Sequence, residues 1–193
     1  MSARPDLHAA TTLVARTVEA VPDDRLDAPT PCPDYSVGDL LDHVAGLSTA
    51  FTWAARKEGL DRLSEPPAPG SRDNLVDDWR TVIPARLRDL ATAWESPDAW
   101  DGMTQAGGVE MPGEVGGLVA LNEVLVHGWD LAAATGQSYE PDAASLQSGL
   151  TFASQFDEGG SGEAFGPKVA TPAGAPELQQ LLAHNGRDIA WRP

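Results

Sequence analysis

Glu123, His127 and Asp130 are the ionisable residues of an otherwise uncharged, mostly small or apolar run from Val115 to Ala134. Their i, i+4, i+7 spacing puts them within roughly 60° of arc on one face of an α-helix. Gly116, Ala120 and Ala134 lie along the same line and leave space beside it. A helix apolar nearly all round belongs in a protein interior. A carboxylate there needs a partner, because an unpaired buried charge is very costly. A metal ion held by Glu123 and His127 answers that need and requires at least one further ligand from another helix. Asn122 precedes Glu123, so this is not the His-Glu-x-x-His of zinc proteases.

The remaining histidines are His8, His43 and His184. His43 is the best placed, flanking an apolar stripe beside Gly46, Ala50 and Ala54, small neighbours that let another helix approach or leave a pocket. His8 falls in the first turn of a helix and His184 at the end of one, positions that are commonly exposed.

The elements that must position these residues read as helices. Leu7, Ala10, Val14, Val18 and Val21 recur at helical spacing, and Pro22-Asp23-Asp24 ends that segment. Leu26 to Tyr35 holds three prolines around Cys32 and reads as an extended linker. Ser36 caps a second helix with Asp39 three residues on, as in a capping box, and Val37, Leu40, Leu41, Val44, Leu47 and Phe51 form its stripe. After a Pro/Gly-rich loop from Glu65 to Gly70, a third helix carries Leu75, Trp79, Ile83, Leu87, Leu90 and Trp94, with a kink expected at Pro84. Ser96 to Gly113 reads as an irregular connection with a short hairpin around Gly107-Gly108. The fourth helix runs to Thr135, where Gly136 suits its stop. A fifth covers Asp142 to Phe156, and a short last helix spans Pro176 to His184, closed by Asn185-Gly186.

At 193 residues the chain is expected to be one domain, long enough to bury ~70% of its unfolded surface. The bundle is expected over about 5–158, with 159–193 as a closing tail. A net charge of -16 argues against nucleic acid or an anionic membrane as partner. The run from 115 to 134 is long enough to cross a bilayer, but Glu, His and Asp in mid-span argue against it. The N-terminus lacks the apolar core of a signal peptide, and the single cysteine excludes an internal disulfide. The expectation is a soluble, cytoplasmic protein.

Three blocks of residues are familiar in their order and spacing. They are Thr30-Pro31-Cys32-Pro33-Asp34-Tyr35 with Asp39 to Val44; Asn122 to Gly136; and Phe165-Gly166-Pro167 with Leu181 to Asp188. In these the chain resembles the DinB-like superfamily of helical proteins, and within it the mycothiol-dependent maleylpyruvate isomerase N-terminal domain family. The resemblance implies an all-α fold, a DinB-like four-helix bundle with short extra C-terminal helices, and the period-3.6 pattern in four segments predicts that this bundle is mainly antiparallel. The resemblance also implies a divalent metal held by a His on the second helix and a Glu-or-His-x3-His pair farther on. Carried onto this sequence the ligands are His43, Glu123 and His127, the set that spacing also suggests.

Two imidazoles and one carboxylate with an open position are the arrangement of catalytic zinc rather than of a closed structural site. Zinc is the first expectation, with nickel and iron open. In thiol-dependent relatives the open position is thought to take a low-molecular-weight thiol, whose lowered pKa makes thiolate available to attack an electrophile. Asp130 is the candidate catalytic residue: a fourth ligand, an acceptor orienting an imidazole, or a base for the thiol proton, the second being preferred. Cys32, between two prolines and with no nearby cation in sequence, reads as packing rather than as a nucleophile. Trp129 reads as core, and nothing selects among Arg56, Arg80, Arg86 and Arg88 as sites for an acidic substrate.

The isomerase that names the family carries a further C-terminal domain, where this chain has a tail that reads as a closing segment. The first expectation is therefore a metal- and thiol-dependent transferase or isomerase acting on a small electrophile, rather than isomerisation of maleylpyruvate itself. The alternatives are a metal-dependent hydrolase, which lacks an obvious separate base unless Asp130 serves, and a non-catalytic metal-binding or sensor protein. The partners expected are the small thiol and the electrophile, with a homodimer left open.

Overall fold

In a computed structural model that describes residues 4–156, 159 and 166–193, apolar residues at helical spacing form the four long helices. Phe165, in the third familiar block, lies outside the described residues, as do Asp157, Glu158 and 160–165 of the expected bundle end and tail. Helix α1 (His8–Glu19) buries Ala10, Val14 and Val18. Helix α2 (Val37–Arg56) starts at the expected capping box: the Asp39 N–H donates to Ser36 Oγ at 3.3 Å, and the Ser36 N–H donates to Asp39 Oδ2 at 2.9 Å. Helix α3 (Trp79–Trp94) begins later than the periodicity suggests. Leu75 instead closes a single 3-10 turn at Arg72–Asn74, because that turn is fastened to α2 before the helix can start.

The connection after α3 is more ordered than expected. A short helix α4 (Pro97–Trp100) precedes a hairpin of β1 (Met103–Ala106) and β2 (Val109–Pro112), paired antiparallel with Ala106 opposite Val109. Gly107 and Gly108 both take positive φ (59° and 79°), as a tight two-residue hairpin turn requires. Helix α5 (Gly113–Thr135) follows and stops at Gly136, φ 70°. The remaining helices are α6 (Ala143–Ala153), capped by Asp142, and α7 (Glu177–His184). The segment Leu26–Tyr35 is not extended as its prolines suggest. The Thr30 hydroxyl lies 2.9 Å from the Cys32 carbonyl and 2.8 Å from that of Tyr35, and these contacts fold it into a tight loop.

In the bundle, α1 and α2 each pack against both α3 and α5. Arg80, at the start of α3, donates to the Val21 carbonyl just beyond α1, so α1 and α3 run antiparallel. Arg25 and Gln137 tie the end of α1 to the end of α5, through the carbonyls of Ala134 and Thr17, so those two run parallel. Helices α2 and α3 are also parallel, because residues 57–78 run back to the starting end of α2, where the Arg72 N–H donates to Asp39, before α3 begins. The arrangement is thus up, down, down, up for α1, α2, α3 and α5, and only half of the neighbouring pairs are antiparallel. Outside this ring α6 packs on α5 and α7 on α6. That outer layer explains why α5 is apolar all round. Among the described residues no helix is long and apolar enough to cross a membrane.

Candidate metal centre

Helix α5 points Glu123, His127 and Asp130 toward one side, and α2 brings His43 against them. The Glu123 carboxylate Oε2 lies 3.0 Å from His127 Nε2 and 3.9 Å from His43 Nε2. One donor atom from each of the three residues falls within 4.8 Å of the other two. Ligands bound at the ~2.1 Å usual for zinc sit roughly 3.4 Å apart around a tetrahedron, so small side-chain adjustments would close this set around one ion. His43 is the most open of the three, its side chain 23% exposed against 13% for Glu123 and 9% for His127. An imidazole, a carboxylate and a second imidazole, all largely shielded from solvent, are a donor set that fits a divalent cation.

Each donor is aimed by neighbours. The His43 ring stacks on Tyr35 (centroids 5.2 Å, planes 34° apart) and meets His127 edge-on at 4.8 Å. Over this corner the chain at 70–72 is pinned to α2: Ser71 N–H to Asp42 Oδ2 at 3.0 Å, and Arg72 N–H to Asp39 Oδ1 at 2.7 Å. Gly70 permits this approach, since a Cβ there would stand 2.4 Å from the Asp39 carbonyl and 2.8 Å from His43 Cβ. On the other side, His127 Nδ1 lies 3.0 Å from Asp130 Oδ2. A carboxylate can only accept there, so Nδ1 carries the hydrogen and Nε2 is the atom left for a metal.

The charges respond to this packing. Burial disfavours ionised Glu123, but the close His127 imidazole, with His43 farther off, outweighs it and holds the carboxyl at about 2. Burial likewise disfavours protonated His127; Asp130 and Glu123 overcome it and push the imidazole up to about 9. Without a metal, then, a proton on His127 satisfies Glu123, and a bound cation would take that proton's place.

Asp130 is wholly buried and paired with Arg187, whose Nε donates to both carboxylate oxygens (2.9 and 3.1 Å) and whose Nη2 donates to Oδ2 (2.9 Å). Cys32 also comes near, its sulfur within 4.8 Å of donor atoms of His127 and Asp130. Burial pushes its thiol up to about 11, with Arg187 opposing. His8 is half-buried and pairs with Glu95, and His184 ends α7; neither joins the cluster. Arg80 pairs with Asp23 and Arg86 with the Ala45 carbonyl, while Arg56 and Arg88 are exposed. The cation that reaches the site is Arg187, which no local pattern in the sequence singles out. A buried Asp130 demands such a partner, and the third familiar block contains it.

The family model for the mycothiol maleylpyruvate isomerase N-terminal domain matches residues 7–132. The chain belongs to that family. The matched region takes in His43, Glu123, His127 and Asp130 and stops short of Arg187. Two uncharacterized proteins, from two strains of Mycobacterium tuberculosis, are each 34% identical over 175 residues, covering 86% of this chain and 87% of theirs. A crystal structure of the mycothiol-dependent maleylpyruvate isomerase superposes with a TM-score of 0.56 at 20% identity, over 77% of this chain and 67% of that one. A mutant of that enzyme gives 0.55 at 20% identity, over 82% and 71%. At such identity the likeness bears on the fold, and it agrees with the mostly helical architecture of this family member.

Proposed function

We propose that this chain is a metal-dependent thiol transferase or isomerase. His43, Glu123 and His127 would hold a divalent cation, zinc in the first instance. Beside it a low-molecular-weight thiol of the mycothiol type loses its proton. The thiol sulfur then either adds to an activated double bond, which takes up a proton from solvent, or displaces a leaving group that departs as an anion. The observation that carries the reading is the convergence of three donor side chains from two helices on one partly open point. Family membership supports the thiol. When bound, the metal would lower the pKa of a thiol sharing its coordination shell, making thiolate available near neutral pH.

The chain's own residues supply the rest. Glu123, ionised down to about 2, is the anionic donor and offsets cation charge. Asp130 keeps the hydrogen on His127 Nδ1, so that Nε2 faces the site. We assign Asp130 to that orienting role rather than to proton abstraction, because both its oxygens already accept hydrogen bonds from Arg187. The thiol proton leaves instead to solvent on the His43 side, the most exposed edge. Tyr35, its ring against that of His43, would offer an arriving thiol or electrophile an aromatic surface beside the centre.

Hydrolysis is the weaker reading, since Glu123 is used as a ligand and Asp130 is closed off. The test is loss of an electrophile such as monobromobimane with protein, metal and mycothiol omitted in turn. Loss faster than the uncatalysed reaction of thiol with electrophile only when all three are present, and only the uncatalysed rate with His127→Ala, is expected. Turnover without thiol, abolished by the same substitution, would move the assignment to a hydrolase. Metal uptake without turnover across a broad electrophile panel would favour a non-catalytic protein.

A further inference from the structure

Arg187 comes to α5 from a tail that the family model does not reach, 57 residues beyond Asp130. It is 8% exposed, and its Nη1 donates to the Asn185 carbonyl at 3.1 Å while Nε and Nη2 grip Asp130. Two residues earlier, the fully buried Asn185 exchanges amide hydrogen bonds with Asn122, at 2.6 and 3.2 Å. Asn122 directly precedes Glu123, and Asp130 follows His127 by three. The two tail contacts therefore bracket the Glu123–His127 pair along the helix.

Bracketing of this kind is not needed for stability alone, since a buried ion pair can often be exchanged for apolar residues at little cost. Its geometric effect is specific. A lone carboxylate rotates about its last bond, whereas a two-pronged guanidinium fixes its plane. With that plane fixed, Oδ2 stays 3.0 Å from His127 Nδ1. We infer that Arg187 is a positioning residue of the centre. Acting only through Asp130, it holds His127 in the tautomer and ring orientation that make Nε2 a metal donor, and the Asn122–Asn185 pair fixes the tail that delivers it. The inference rests on the metal reading proposed above. It makes the C-terminal tail part of the site, although the family's matched region ends at residue 132.

The test is titration of the metal-free full chain with Co2+, following affinity and the visible ligand-field bands, in the wild type, Arg187→Met, Asp130→Asn and the double variant. Circular dichroism in chelator reports folding. In Asp130→Asn the amide oxygen turns to Arg187 and its NH2 faces His127, reversing the tautomer. Affinity should fall about 10- to 100-fold in each single variant, the usual effect of removing a partner that orients a ligand, with altered bands and helical content kept. The double variant should be no worse than Asp130→Asn; it also removes both buried charges, so it reports even if Arg187→Met does not fold. Wild-type affinity in Asp130→Asn, or losses that add in the double variant, would overturn the inference. A wild type that takes up no Co2+ would sink the metal reading itself, a distinguishable failure.

Discussion

Helices α3 and α5 are neighbours of the same two helices, yet they are buried by different rules. Helix α3 hides Ile83, Leu87 and Leu90 completely and leaves Arg88 and Asp89 exposed. Any apolar residue of similar volume would serve at those buried positions. Helix α5 hides Asn122, His127 and Asp130, each of which needs one particular partner at hydrogen-bond distance. The stripe of α3 is generic, and the stripe of α5 is a set of specific pairings. What α5 gains is a cluster of donors that a dry interface cannot offer.

The sharpest way to break that contrast is to remove one partner on each helix. Asp130→Ala leaves the Arg187 guanidinium buried without its carboxylate and should cost about 3–5 kcal/mol in urea unfolding of the metal-free protein. Leu87→Ala should cost a comparable ~2–5 kcal/mol through its cavity, but should leave metal affinity unchanged. An Asp130→Ala cost below about 1 kcal/mol would mean that the tail pairing is solvated or dispensable.

The same contrast explains what could be read from the chain alone. Period-3.6 apolar residues exposed α1, α2 and α3, and local chemistry exposed the Ser36 capping box and the Gly107-Gly108 turn. All of these depend on residues a few positions apart. The i, i+4, i+7 spacing likewise put Glu123, His127 and Asp130 on one face. Arg187 was not legible, because its meaning depends on a contact made 57 residues away. Cys32 shows the same limit: no cation adjoins it in sequence, but Arg187 is brought close enough in the fold to influence its thiol. The parallel course of α2 and α3 was hidden in the length of a connection, and the apolar circumference of α5 showed burial without naming α6 as the cover.

A smaller effect, in pH, sharpens the comparison. In chelator, His127 has a folded pKa of about 9 against an ordinary 6.5, so its contribution is fully present below about 6.5 and is lost as pH rises through 9. Glu123, at about 2 against 4.5, contributes above about 4.5 and loses that contribution as pH falls through 2. Helix α3 has no buried titratable side chain to add to either limb. Because a metal at the proposed centre would replace the His127 proton, the rise in Tm caused by Zn2+ should grow between pH 6.5 and pH 9. Melting curves with and without Zn2+ at several pH values check this; an increment independent of pH would mean that no proton is displaced.

The smallest expected effect concerns Cys32, which lies beside the polar cluster but behaves like a residue of the dry side. Burial holds its thiol at about 11 rather than 9.0, so at pH 8 the folded chain carries very little thiolate. With thiolate as the reactive form, iodoacetamide should modify Cys32 roughly 100-fold more slowly in the folded protein than in urea. Asp130, the other group near it, is already committed to Arg187, so a cation between Cys32 and Asp130 would compete with a guanidinium in place. Cys32→Ala should therefore leave Zn2+ affinity within about twofold of wild type and cost on the order of 1 kcal/mol in packing. Rapid alkylation that Zn2+ suppresses, with weakened metal binding in Cys32→Ala, would instead make the sulfur a ligand. That result would extend the specific pairings of α5 into the proline-rich loop.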